Sequence, residues 1–333
     1  MIELKGEQLE FSFADLHENA RCRIEFQRTL RIPDDNREYP LPPGFGQFPL
    51  AHVDDLGEFV PTNWQRHGGI YLPMYQAEAM WINFQGDYPC AVKVAAGKVN
   101  AVTGDAWDDQ LQAEPQDYVV VPDQPWLDGF CVTKGSIRQF VAMPLGEGYS
   151  AEEQITGKAE HGGLQVMVFP MRREAYERYL REHAHAEDIC GSFTVFDPGA
   201  LGGYTPPDMG LAPGGLMRQK IYEDEYGIDV WDTEHVSRCF VHIVNSHQYV
   251  AITGNPPPTQ PPSASQYADA GLPWFDYYAE GKTAVPGSKA LAELKSLAAK
   301  WFDNNSTELP DNEAIKPGPV KKLGGAKVRE GEF

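Results

Sequence analysis

His242 and His247 stand five residues apart in Ser237–Thr253, beside Arg238 and among Phe240 and Tyr249. An imidazole titrates near neutral pH, so with a cationic neighbour such a face can be a binding or catalytic surface. That spacing becomes chemistry if the chain folds back on itself. Ser237–Val244 and His247–Thr253 are both rich in β-branched and aromatic residues. Asn245-Ser246 between them reads as the two-residue turn of a hairpin. In that register residue 244 opposes 247 and 242 opposes 249, so Cys239, Val241, Ile243, Gln248, Val250 and Ile252 form a core face. The other face collects Arg238, Phe240, His242, His247 and Tyr249. Read functionally, His242, His247 and Arg238 are its catalytic candidates, and Phe240 and Tyr249 its binding rings. The plainer reading is a second sheet face, covered by the C-terminal cluster of Tyr267, Trp274, Phe275, Tyr277 and Tyr278. Trp274 is the binding candidate from that cluster.

Metal chemistry has two places to start. The run His183-Ala-His185-Ala-Glu187-Asp188-Ile-Cys190 offers imidazole, carboxylate and thiolate, all ligands for zinc or a related ion. On a helix, positions two apart point ~200° from each other, so His183 and His185 cannot share an ion there, whereas His183 and Glu187 can. The plainer reading is the fraying end of a helix. The second place is Tyr222–His235, with Glu223, Asp224, Glu225, Asp229, Asp232 and Glu234. Its oxygens suit a hard cation, and paired acids near Trp231 suit glycoside hydrolysis. No diagnostic spacing accompanies them, and a solvated acidic loop is the plainer reading. No cofactor is expected; a divalent metal at His183, Glu187, Asp229 or Asp232 is the alternative. The seven tryptophans raise a third possibility, a stacking platform for sugars. A tryptophan in a β-rich chain is more often core.

The signatures of nucleotide, serine-hydrolase and zinc-protease chemistry are absent: the chain has no GxxxxGK[ST], GxSxG, HExxH or EF-hand loop. The 28 basic and 48 acidic residues give a net charge of −20. A field of that sign repels nucleic acid and anionic lipid. The basic tail residues Lys316, Lys321, Lys322, Lys327 and Arg329 read as solvating charges. The apolar runs are of strand length, so no spanning helix is expected. The first ten residues lack the basic and apolar blocks of a secretion signal, and the five cysteines are widely spaced. Reduced, buried thiols in a cytoplasmic protein are the expectation.

The elements that would position these residues are short strands. Thirty-two glycines and 27 prolines punctuate β-branched and aromatic runs throughout the chain. The reading is a mainly β, β-rich α+β fold with two sandwich- or jelly-roll-like units, 1–145 and 146–255, the second crossed by a helix over 172–189. Gly199–Gly215 reads as a loop before a strand at Leu216–Tyr222. Pro256–Pro262 is extended and marks a boundary. Residues 256–333 then supply the aromatic segment, an amphipathic helix near Ser288–Phe302 and a polar tail. Two functions stay open. One is a soluble binding or assembly protein, non-enzymatic, that self-associates or takes a protein partner through 256–333. The other is a hydrolase or metal-assisted enzyme on the His/acid surface.

Overall fold

The computed structural model describes residues 1–182, 208–277 and 281–322. Strand outweighs helix, and the fold is a mainly β α+β fold, as the punctuation of the sequence indicates. Among the described residues, no helix is long and apolar enough to cross a membrane.

Two large sheets carry the chain. The larger runs, along its main path, through Ile2–Lys5, Gln8–Ser12, Arg21–Thr29, Ala79–Gln85, Ser136–Pro144, Met209–Arg218 and Glu38–Tyr39. The smaller runs through Val99–Asn100, Cys90–Ala96, Leu164–Pro170, Ser237–Asn245, Ile70–Met74 and Ala51–His52. Local sequence shows why each strand faces as it does. In Ala79–Gln85, Met80, Ile82 and Phe84 are buried while Trp81, Asn83 and Gln85 are half-exposed, the period-two pattern of a strand with one wet face. Cys90–Ala96 is buried at every position, as suits a strand covered on both sides. One continuous hydrophobic cluster draws on both sheets, with Phe26, Ile82 and Phe140 from the larger and Val92, Val166 and Ile243 from the smaller.

Both sheets cross residue 146. Ser136–Pro144 pairs with Met209–Arg218, and Cys90–Ala96 pairs with Leu164–Pro170. Met209–Arg218 begins inside the expected Gly/Pro loop. Its glycines are there for close approach: a Cβ on Gly215 would run into the Pro33 carbonyl. The helix expected over 172–189 is present as Arg173–Glu182, and its remainder lies outside the described residues.

The C-terminal segment lies against the larger sheet. Leu291, on the short helix Lys289–Ala292, is fully buried, and that helix packs on the strand Gly129–Thr133. Leu297, on the helix Leu297–Asn305, packs with Ala79, Val141, Met143 and Ala212. The single amphipathic helix expected near Ser288–Phe302 is thus two, because Ser288 and Ser296 each open a new helix.

The expected hairpin at 237–253 is a correction. The strand ends at Asn245, and Ser246–Thr253 is a helix. Asn245 is its N-cap: the Asn245 side-chain oxygen accepts the His247 backbone N–H at 3.0 Å, and Gly254 closes the helix in the left-handed conformation. Asn-Ser is as good a cap as it is a turn, and local sequence cannot choose between them. The partners of Ser237–Asn245 are instead Leu164–Pro170, antiparallel, and Ile70–Met74, parallel.

Candidate functional site

The strand Ser237–Asn245 lies between Leu164–Pro170 and Ile70–Met74. Each flanking strand is entered through the same tripeptide, His67-Gly68-Gly69 before Ile70 and His161-Gly162-Gly163 before Leu164. The registers coincide: Ile70 and Leu164 both pair with Val241. The twin turns therefore set two histidines on either side of Phe240 and His242.

The glycines make this possible. All four adopt positive φ, at 59° and 89° for Gly68 and Gly69 and 62° and 54° for Gly162 and Gly163. The backbone also passes so close that a Cβ on Gly69 would strike the Phe240 carbonyl and one on Gly163 the Val241 carbonyl. Gly68 caps the helix Thr62–His67 by donating its N–H to the Trp64 carbonyl at 2.7 Å. Gly163 accepts the Gly97 N–H at 3.0 Å, which stitches the turn bearing Lys98 to the same spot.

Aromatic stacking fixes the rings. His67 stacks on Phe240 at 4.5 Å between centroids and stands 5.6 Å from His161. His242 stacks on Trp64 at 4.4 Å. The His242 Nε2 lies 3.0 Å from the Gly68 carbonyl, so that nitrogen carries the hydrogen and donates. Beneath them the Trp64 indole N–H donates to Asp208 Oδ2 at 2.8 Å, and Asn63 Nδ2 to the same oxygen at 3.4 Å. Glu152 is buried alongside and accepts the N–H groups of His161 and Gly162. His161 Nδ1 and Asp208 Oδ1 are buried with no hydrogen-bond partner among the described residues.

The electrostatics follow from burial and from neighbouring cations. Burial lowers all three imidazoles from their ordinary value, His242 to about 4. Arg66, Arg238 and Lys98 push His67 further down, and Lys98 does the same to His161. Burial raises Asp208 to about 7, against the pull of the Trp64 and Asn63 hydrogen bonds. Burial also raises Glu152, against the N–H groups of Gly162 and His161. At neutral pH the site is therefore a set of uncharged imidazoles under a rim of cations. Two acids share the rim: Asp109 holds Arg238 at 2.6 Å, and Glu160 holds Lys158 at 3.1 Å while its other oxygen lies 3.8 Å from His161 Nε2 and works to raise that imidazole. The Arg238 guanidinium lies 5.4 Å from the Phe240 ring centre.

The residues singled out from the sequence fall in different places. Phe240, His242 and Arg238 come together here. His247 and Tyr249 do not share that face, because both belong to the helix Ser246–Thr253. His247 is exposed, edge-on to Tyr75 at 5.4 Å, and Tyr249 is buried near Tyr71. Trp274 is fully buried between Tyr39 and Tyr267, on a strand paired in parallel with Val320–Lys322, and is an interior ring. Asp229 is exposed on a short turn of 3-10 helix. Asp232 accepts the N–H groups of Glu234 and His235 and pairs with the His235 ring at 3.0 Å. Burial works to raise the Asp232 carboxyl, but those partners hold it below its ordinary range. His183 and Glu187 lie outside the described residues. Among the described residues, no three His, Cys, Asp or Glu side chains gather as a metal requires. Trp64, His67, His161 and Asp208 were missed. The repeated His-Gly-Gly before two strand-like runs was the available signal.

Compared with protein-family models, with curated proteins and with solved structures, the chain matches none.

Proposed function

We propose that the chain is a binding protein that takes a small oxyanion at the twin His-Gly-Gly turns. The observation that carries this reading is the gathering of Arg66, Lys98 and Arg238 around His67, which stacks on Phe240 and stands 5.6 Å from His161, in a chain of net charge −20. Cations concentrated against the sign of the whole molecule favour a local anion. The overall charge supports a ligand other than nucleic acid. A cytoplasmic setting belongs to the same reading, supported by Cys22, Cys90, Cys131 and Cys239, which are buried and unpaired. Self-association through the C-terminal segment has less support, since Trp274, Leu291 and Leu297 are spent inside the chain's own fold. An acid–base enzyme is the second reading, and Asp208 favours it, with its carboxyl raised to about 7 where it accepts from the Trp64 indole that stacks on His242.

The test is a titration of the whole chain with inorganic phosphate at neutral pH, followed by long-range nitrogen–proton NMR of the imidazoles. The His67 and His161 signals should move together and saturate. The double variant Lys98→Gln/Arg238→Gln should weaken the effect about tenfold, equivalent to ~1.4 kcal/mol. Signals that stay still, or that move equally in the double variant, overturn the reading.

A further inference from the structure

The larger sheet has two unlike halves on one face. Over Ala79, Val141 and Ala212 the helix Leu297–Asn305 seals an apolar patch. Along the same strands, away from that helix, the outward residues are amides, two indoles and the charged Glu10, Arg23 and Glu25. Register places them in three rows. Gln47, Gln27 and Trp81 form the first, and Glu25, Asn83 and Trp126 the second, with Gln8 alongside. Glu10, Arg23 and Gln85 form the third.

Glu25 organises the middle. Its carboxylate accepts from Gln8 at 2.8 Å, Gln27 at 3.0 Å, Asn83 at 3.0 Å and Gln85 at 3.4 Å. Four side-chain amides are thereby held in fixed poses by one ion, with no cation needed. An amide that donates inward keeps its carbonyl free to accept. Trp126 donates its indole N–H to Asp128 and meets Tyr277 edge-on at 4.8 Å, so its ring is braced.

Trp81 is the exposed counterpart. It is half-exposed and belongs to none of the three hydrophobic clusters. Its indole N–H makes no hydrogen bond among the described residues. The residue beside it is Gly44, where a Cβ would lie 3.7 Å from the ring; glycine adds no side chain over that part of the indole. Trp81 and Trp126 sit on adjacent strands about two residues apart along the strand direction, roughly 7 Å by 5 Å.

We propose that this face binds a neutral oligosaccharide, with Trp81 and Trp126 stacking on sugar rings and Gln8, Gln27, Asn83 and Gln85 bonding their hydroxyls. Sugar hydroxyls donate and accept, as amides do, and the apolar face of a pyranose matches an indole. Glu25 carries a charge, but its four amide donors spread it, which favours an uncharged ligand over a cation. Pre-ordered amides lower the cost of binding. The site is separate from the histidine turns, which lie on the other sheet.

The experiment is affinity electrophoresis of the full chain in gels containing soluble neutral polysaccharides (a β-glucan, a mannan, a xylan and starch), with polygalacturonate as the charged control. Retardation is expected in at least one neutral gel and not in polygalacturonate. Asn83→Ala and Trp81→Ala should each abolish it or reduce it severalfold, with unfolding curves showing that the variants remain folded. If Trp81→Ala does not fold, Gln27→Ala together with Gly44→Val, which would cover the indole, decides the matter in the same gels. Migration unchanged in every neutral gel, retardation in the charged gel alone, or retardation indifferent to these variants overturns the proposal.

Discussion

The twin His-Gly-Gly turns and the Tyr222–His235 loop both read as chemistry in the sequence, and they use their polar groups in opposite ways. In the loop, Asp224 is saturated. Its carboxylate accepts Tyr118 Oη at 2.6 Å, Trp231 Nε1 at 2.8 Å and the N–H groups of Tyr226 and Gly227. Asp232 is likewise spent on its own neighbours, and Glu223, Glu225, Asp229 and Glu234 face solvent. At the histidine turns, His161 Nδ1 and Asp208 Oδ1 are buried without partners among the described residues, and cations crowd the rim. A carboxylate whose lone pairs are filled by its own chain is a structural strut. Buried polar groups left without a partner beside a cation rim are what the anion-binding proposal rests on.

The largest expected effect tests the strut. Asp224→Ala strips the partner from the indole of Trp231 and the hydroxyl of Tyr118, residues that are 0% and 1% exposed. Each orphaned buried donor costs roughly 1–3 kcal/mol, so the variant should lose about 3 kcal/mol of stability in urea unfolding. A loss under about 0.5 kcal/mol, the range of ordinary surface substitutions, would mean the loop is not built on Asp224.

The histidine end should show itself in pH dependence, with two opposing contributions. Asp208 sits at about 7 when folded, above its unfolded value near ~3.9. Its contribution to stability is complete below the unfolded value and is lost as pH rises through 7. His242 sits at about 4, below its unfolded value near ~6.5. Its contribution is complete above 6.5 and is lost as pH falls through 4. Between those limits the two slopes oppose each other, and single variants should separate them. Relative to the parent chain, Asp208→Asn should lose stability on acidification from neutral pH. His242→Gln, which retains a donor for the Gly68 carbonyl, should gain. Differences on the order of 1–3 kcal/mol across the window are expected from calorimetry at several pH values. Variant curves parallel to the parent's would remove Asp208 and His242 as the groups that distinguish this end of the molecule.

How much of this was legible in the sequence depends on the range of the interaction. The β-rich class was legible, because strand alternation such as Met80, Ile82 and Phe84 is local. Phe240, His242 and Arg238 were picked out together because they alternate on one strand, again a local fact. Their partners were not legible. Trp64, His67, His161 and Asp208 come from three other stretches of chain, and no local pattern announces that Ile70 and Leu164 share Val241 as a partner. The acidic loop misled in the opposite direction. Its composition fits a cation site, but the donors that fill Asp224 include Tyr118, over a hundred residues away. The Asn245 cap failed for a narrower reason: one dipeptide fits two local structures, and packing chose between them.

That choice gives the smallest effect and a sharp contrast within one residue type. His242 and His247 were equivalent in the sequence reading, on one face of one hairpin. In the fold the first is buried under Trp64, and the second stands in solvent on the first turn of a helix, touching Tyr75 edge-on. An exposed edge-on ring contact is worth about 0.5 kcal/mol, so His247→Ala should change stability by no more than that. It should also leave the phosphate-induced shifts of His67 and His161 unaltered. A substantially larger loss, or loss of those shifts, would place His247 back on the Phe240 face. That result requires a strand where the cap at Asn245 starts a helix, and with it a different edge for the smaller sheet.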